Sequence, residues 1–382
     1  MSHDLLPLPD YGGGSLADVL PAVLRGLDVP VDGDDPGGMS LDVSPRTCLL
    51  LVDGLGMSAL RSEPERAPFL TSLLDGPGSR PITSVFPTTT PIALTSLGAG
   101  LPPGRHGVVG LLLRLPDGRL ANTLAIPGQV DFHALQPHPT AFERAADAGV
   151  AVTRVGPQAF DGQGLTEAGL RGGRYAGAES VGERVAAAAA GARRGHRSLT
   201  YVYYGELDAT GHRRGRDSEA WRQELTHVDR LAEQLAGALP AGSTLLVTAD
   251  HGMVDLAPEQ RWDVPSTPDL DAGVLVVAGD PRAVHVHARP GAATDVLAAW
   301  RTVLGDSFWV FSRDEAVASG LYGPEVDDRV APLVGDVVAV ARGRGSVADA
   351  RVAPPGLLDL VGMHGSVTAD ELVVPLLVHS TG

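Results

Sequence analysis

Through the first two-thirds of the chain, short unbroken apolar runs alternate with longer stretches in which apolar residues recur every three or four positions. The runs "TCLLLV" (47–52), "AVTRVG" (151–156), "SLTYVYY" (198–204) and "STLLVTA" (243–249) predict buried strands. The stretches "SVGERVAAAAAGARRG" (180–195) and "DSEAWRQELTHVDRLAEQLAGAL" (217–239) predict helices, the second capped by Asp217 or Ser218. Strands with no polar face, alternating with helices, imply an α/β fold: a mostly parallel central sheet with helices on both faces. The pattern changes near residue 260. There "VLVVAG", "AVHVHAR", "FWVFSRDEA" and "DVVAVARG" predict short strands separated by turns, with one helix, "AATDVLAAWRTVL" (292–304). We therefore expect a core of residues 1–262 and 346–382, interrupted by a smaller α+β lobe at 263–345. No internal repeat is present, and the first 40 residues, with "GGG" and "DGDDPGG", read as partly irregular.

Composition narrows the class. The chain has 382 residues, 43% of them hydrophobic and 20% charged, and all 30 basic residues are arginine. A formal charge of −16 argues against a nucleic-acid polymer as partner, since that partner needs a cationic footprint. It does not argue against a small anionic substrate, because bound cations can reverse the local sign. The single cysteine, Cys48, lies in an apolar run and reads as inert core; it excludes an intrachain disulfide or a cysteine-built zinc site. The start "MSHDLLPLPDYGGG" lacks a basic segment followed by an apolar one, and no apolar run approaches the ~18 residues of a membrane span. A cytoplasmic protein with no membrane partner is expected. No pattern in the chain fixes an oligomeric state.

Chemistry gathers where the strong strands end. "LLLV" runs into Asp53, "TYVYYG" into "ELDATGH" with Asp208 and His212, and "LLVTA" into Asp250 and His251. Ligands of parallel sheets bind at the carboxyl ends of strands, so these residues fall on one edge. Taken singly, each also suits a turn or a helix cap. Taken together, they form the mixed oxygen and nitrogen set that zinc accepts. Gly54 and Gly252 would let the backbone pass close to a bound group.

The stretch "SVFPTTTPIALTSLGAGLPPGRHGVVG" (84–110) places Thr88, Thr89 and Thr90 between two prolines. Such threonines commonly cap turns and helices, with Pro91 at the first helical position and Thr90 as cap. A hydroxyl at a helix start is also where an oxygen nucleophile would meet a phosphate, because the free backbone N–H groups there attract it.

The pieces "LLLVDGLG", "FPTTTPIALTSLGAGLPPGRHGVVG", "YYGELDATGH", "TADHGM" and "GMHG" occur in one order across residues 47–365. In that order the chain resembles the alkaline phosphatase superfamily, and within it the nucleotide pyrophosphatase/phosphodiesterase branch. The resemblance implies an enzyme with two divalent metal ions, zinc expected and manganese the alternative. One ion would lie on Asp53, Asp250, His251 and the nucleophile hydroxyl, the other on Asp208, His212 and His364. A gap-free match from "FPT" to "GRHG" puts the nucleophile on Thr90, with Thr89 the alternative register. The implied chemistry is hydrolysis of a small phosphate ester, a phosphodiester or nucleotide pyrophosphate, through a phospho-threonine. Phosphomonoester or phosphonate hydrolysis is the alternative within the superfamily. A non-catalytic nucleotide- or metal-binding protein is the remote one. Sulfatase relatives need a cysteine or serine at the nucleophile, and mutase relatives use serine. Two departures bear on substrate. Thr89 stands where the branch has lysine, and Ala93 where it has an asparagine that binds a phosphoryl oxygen. His106 matches the family but reads as structural. His285 and His287 alternate along a lobe strand, which has the look of a metal pair but is not read as one.

Overall fold

The computed structural model describes residues 6–31, 38–124 and 130–382. In chain order the strands are β1 (Arg46–Val52), β2 (Arg80–Thr83), β3 (Leu112–Arg114), β4 (Leu120–Asn122), β5 (Ala151–Gly156), β6 (Arg174–Gly177), β7 (Ser198–Tyr204), β8 (Thr244–Thr248), β9 (Val254–Asp255), β10 (Arg261–Asp263), β11 (Val274–Asp280), β12 (Ala283–Ala288), β13 (Phe308–Ser312), β14 (Val337–Ala341), β15 (Ser346–Ala348), β16 (Gly362–Met363) and β17 (Val373–Ser380).

Seven of them build the central sheet in the order β2-β17-β8-β1-β7-β5-β6. β8, β1, β7, β5 and β6 run parallel, while β17 runs antiparallel to both β8 and β2. The sequence-predicted strands at 47–52, 198–204 and 243–249 are thus neighbours, with β1 in the middle. Side chains alternate between faces along each strand. On one face Thr153 of β5 and Thr200 of β7 pack under Gly191, in the helix Val181–Ala192. On the other face Tyr201 of β7 meets the ring of Phe142, in the helix Ala141–Asp147, at 5.7 Å. The long helix Glu219–Ala238 buries Trp221, Leu225, Val228, Leu231, Ala232 and Leu235, a stripe at helical spacing. Ser218 caps it by accepting from the Trp221 N–H.

The second sheet is antiparallel, in the order β13-β14-β12-β11-β3-β4. The proposed insert 263–345 supplies four of these strands; β3 and β4 come from further up the chain and join through Leu112 against Gly279. The lobe has its own apolar centre, with Trp300, Val286 and Val337 fully buried. A buried bidentate ion pair fastens it to the core. Arg282 donates from Nε and Nη2 to the two carboxylate oxygens of Glu371, each at 2.7 Å. Arg282 also donates to the carbonyls of Gly345 and Gly343, and Glu371 accepts from the Ser366 N–H. No helix among the described residues is long and apolar enough to cross a membrane.

Candidate metal centre and active site

Because β8, β1 and β7 lie side by side, the turns after them deliver Asp250 and His251, Asp53, and Asp208 to one place. Asp208 and His212 sit one turn apart on the helix Glu206–Arg214, with Asp208 Oδ2 3.3 Å from His212 Nε2. His364 arrives from the loop after β16, its Nε2 3.7 Å from Asp208 Oδ1 and 3.2 Å from His212 Nε2. The His251 and His364 rings stack at 3.5 Å. His251 Nε2 lies 3.4 Å from Asp53 Oδ1 and 3.4 Å from Asp250 Oδ2. The donor atoms of Asp208, His212 and His364 all lie within 4.8 Å of one another, as do those of Asp53, Asp208 and His251. Asp208 therefore stands between the two groups.

Hydrogen bonds fix the tautomers. His212 Nδ1 donates to the Gly362 carbonyl at 2.8 Å, His251 Nδ1 to Gly252 at 3.0 Å, and His364 Nδ1 to Thr88 at 2.8 Å. Each Nε2 is then a lone pair facing the cluster, the arrangement of a metal-ligating histidine. Two such lone pairs 3.2 Å apart repel unless a cation lies near them. The carboxylates agree: Asp53 Oδ1, Asp208 Oδ1 and Asp250 Oδ2 are buried with no hydrogen-bond partner. Burial, then mutual repulsion, pushes Asp208 and Asp250 up to about 7, and Asp53 upward for the same causes. Burial lowers His251 to about 3 and His364 well below its usual value. Acids that resist ionising, beside imidazoles that resist protonation, fit divalent cations well.

The three threonines separate by role. Thr90 Oγ1 lies 3.2 Å from His251 Nε2 and hydrogen-bonds Asp53, which offsets part of that carboxyl's upward shift. The Thr89 hydroxyl bonds instead to the buried carboxyl of Asp280, which burial pushes up to about 7. Thr88 donates to the Ser366 carbonyl at 2.6 Å and accepts from the Gly365 N–H at 3.0 Å. It ties the segment before Thr90 to the loop that carries His364.

Three expectations need correction. The helix runs Thr90–Ala99 with Thr89 as its cap, one residue earlier than predicted. The backbone donors at its start are fewer than expected. Pro91 has none, and the N–H groups of Ile92 and Ala93 both go to the Thr89 carbonyl. The Thr90 N–H remains as the donor there for an anion. Gly54 and Gly252 make room for protein rather than for a ligand. A Cβ on Gly54 (φ +79°) would come within 3.1 Å of the Asp208 backbone, and one on Gly252 within 1.9 Å of the Asp370 carbonyl.

His106 is structural, as read. It is fully buried, its Nδ1 accepts from the Val108 N–H, and its Nε2 donates to Ser96 Oγ at 2.8 Å. Arg105 pairs with Glu325 and Asp327. Sequence reasoning missed Tyr203, whose hydroxyl donates to Asp53 Oδ2. It also missed a cavity of about 410 Å³ that opens beside Thr90 and Asp53 and is lined by Tyr203, Tyr201, Arg154 and Tyr175. The clues were an arginine inside the apolar run "AVTRVG" and tyrosines at alternate positions in "SLTYVYY".

Residues 47–367 match the family described as type I phosphodiesterase / nucleotide pyrophosphatase. A phosphopentomutase of Anaeromyxobacter dehalogenans (strain 2CP-C) is 35% identical over 125 residues, 32% of this chain. The chain spans 30% of that relative's length. Among solved structures, murine ectonucleotide pyrophosphatase / phosphodiesterase 5 superposes with a TM-score of 0.69 at 20% identity, covering 88% of each chain. Phosphonoacetate hydrolase from Sinorhizobium meliloti 1021, in complex with phosphonoformate, superposes with a TM-score of 0.69 at 18% identity, covering 92% of this chain and 93% of that one.

Proposed function

Because the chain belongs to the type I phosphodiesterase / nucleotide pyrophosphatase family, we propose that it is a two-metal phosphohydrolase whose Thr90 hydroxyl attacks a phosphodiester or nucleotide pyrophosphate. The observation that carries this reading is the convergence of three unprotonated Nε2 atoms and three unpartnered carboxylate oxygens beside one threonine hydroxyl. Asp53, Asp250, His251 and Thr90 would hold one divalent cation, and Asp208, His212 and His364 a second. The Asp/His mixture favours zinc, with manganese the alternative. When bound, such cations acidify the nucleophile and neutralise charge on the phosphoryl oxygens.

The chain's own residues supply position. Thr90 Oγ1 gives up its proton and forms the new P–O bond while the leaving oxygen departs in line and takes up a proton; water then cleaves the resulting threonyl phosphodiester, restoring the Thr90 hydroxyl and releasing a phosphate monoester. Thr88, through its bonds to Gly365 and Ser366, holds the segment before Thr90 against the loop of His364. The Tyr203 hydroxyl fixes the Asp53 carboxylate from the far side. The Thr90 N–H would bind a phosphoryl oxygen in place of the side-chain donor that Ala93 lacks.

Release of p-nitrophenol from mono- and bis-(p-nitrophenyl) phosphate tests the reading. Metal-depleted protein should be inactive. Zinc or manganese should restore turnover, faster on the diester. Faster monoester turnover would favour the phosphomonoesterase alternative. No turnover of either, with both cations bound, would sink the enzyme reading.

A further inference from the structure

Four arginines are buried among the described residues: Arg154, Arg171, Arg184 and Arg282. Three have evident work. Arg282 grips Glu371, Arg184 grips Glu206 through two nitrogens, and Arg171 pairs with Glu143 and donates to several backbone carbonyls. Arg154 is different. It is 6% exposed, has no ion pair among the described residues, and leaves Nε and Nη1 without any hydrogen-bond partner. The Tyr175 ring lies 5.4 Å from the guanidinium carbon, and Asp161 and Glu167 favour its charge from a distance without pairing with it. A buried cation with unfilled donors is costly unless something supplies the missing charge.

Strand register says where that something would sit. Arg154 lies opposite Tyr201 on one side and Tyr175 on the other, so the three form a row across β7, β5 and β6. The Tyr201 hydroxyl is likewise buried and without a partner. Tyr203, which holds Asp53, is two residues further along the same face, a step of roughly 6.6 Å. All of these residues line the cavity that also reaches Thr90. Much of the remaining lining is apolar, with Leu94, Leu165, Leu170 and Phe160 beside the polar Gln163 and Thr166. Gly156 keeps the passage open, since a Cβ there would come within 2.9 Å of the Tyr175 hydroxyl.

We propose that Arg154 and Tyr201 form an anion subsite at the inner end of this cavity. The preferred substrate then carries a second anionic group, a carboxylate or a phosphate, joined by an apolar or aromatic body to the phosphorus that Thr90 attacks. The proposal rests on Thr90 being the nucleophile, because that places the scissile phosphorus at the outer end. Arg154 is a specificity residue here, and it takes no part in bond making.

Calorimetric titration of the zinc-loaded protein tests it without turnover. The probes are linear alkylphosphonates, the ω-carboxyalkylphosphonates of equal length, and α,ω-alkylenediphosphonates. In the wild type a terminal anion should tighten binding at least about tenfold at one chain length, with little gain at shorter ones. The carboxylate and diphosphonate series tell which anion is preferred. Arg154→Met should abolish the gain, Arg154→Lys should restore part of it, and Tyr201→Phe, which removes only a hydroxyl, should reduce it several-fold. Equal affinity for plain and anionic probes in the wild type would overturn the subsite, as would a gain that survives in Arg154→Met. Failure of the wild type to bind even the plain phosphonates, together with no ester turnover, would overturn the phosphohydrolase reading beneath it.

Discussion

Histidines cluster twice in this molecule, at the carboxyl edge of the parallel sheet and in β12 of the lobe. His212, His251 and His364 each give Nδ1 to a carbonyl and turn Nε2 toward carboxylate oxygens. His285 and His287 are buried, as His251 and His364 are, and burial lowers them to about 3 and about 4. But His285 Nε2 is taken by the Tyr322 hydroxyl at 2.7 Å, and neither residue belongs to a group of converging ligands among the described residues. Burial and an imidazole are common to both places. What separates them is the company of unpartnered carboxylates, and that depends on which strands lie side by side.

The sharpest way to test the active edge is the proposed nucleophile, Thr90. Thr90→Ala should lower kcat by about 10³-fold or more, with circular dichroism and metal content close to wild type, because the other ligands remain. Thr89→Ala should cost far less, since its hydroxyl serves Asp280. Thr88→Ala should leave most activity and cost about 1 kcal/mol of stability, from its two hydrogen bonds to the 365–366 loop. A dead Thr89→Ala beside an active Thr90→Ala would move the nucleophile by one residue.

The comparison itself breaks or holds on metal content. His364→Ala should retain one equivalent of zinc per chain after gel filtration, against two for the wild type, measured by atomic emission. His287→Gln should keep both. Loss of an equivalent from the lobe variant would mean that β12 carries a site of its own.

Much of this edge was legible in the chain. The runs at 47–52, 151–156, 198–204 and 243–249 became β1, β5, β7 and β8 within a residue. Continuous apolar runs leave no second reading of a strand buried on both faces. The lobe read less well, for physical reasons. "FWVFSRDEA" looked like one strand, but Ser312 caps a new helix there, its hydroxyl accepting from the Glu315 N–H. β3 and β4 have three residues each, too few for alternation to register, and they owe their place to the pairing of Leu112 with the distant Gly279. The site residues announced themselves by type and by following strands. Arg154 and Tyr203 did not, because their meaning lies in cross-strand register, which no local pattern carries.

The joint between the two regions is the next largest effect. Arg282 and Glu371 are both fully buried, and Glu371 also accepts from Ser366, two residues past His364. Glu371→Gln removes the charge but keeps the shape, leaving an uncompensated guanidinium inside. The expected loss is about 3 kcal/mol or more by urea denaturation. A loss below about 1 kcal/mol would mean that water reaches the pair and that the lobe is held by its apolar contacts.

The smallest effect concerns the lobe histidines and separates them from the edge by pH. His287 is lowered to about 4 in the fold, chiefly by burial, against about 6.5 when unfolded. A depressed histidine is neutral in the native state while the unfolded chain takes up a proton. Its neutral form therefore stabilises the fold above pH ~6.5, and that stability is lost as pH falls from there toward 4. At pH 5.5, one unit below the unfolded value, the loss approaches about 1.4 kcal/mol for this group. Glutamine at 287 cannot take up the proton. The drop in unfolding free energy between pH 7.5 and 5.5 should therefore be about 1 kcal/mol smaller in His287→Gln than in the wild type. This holds in metal-depleted protein, where the edge histidines contribute equally to both proteins and cancel in the difference. An unchanged drop would mean that His287 accepts its proton in the folded lobe, and the contrast between a merely buried imidazole and a ligand would lose its lobe half.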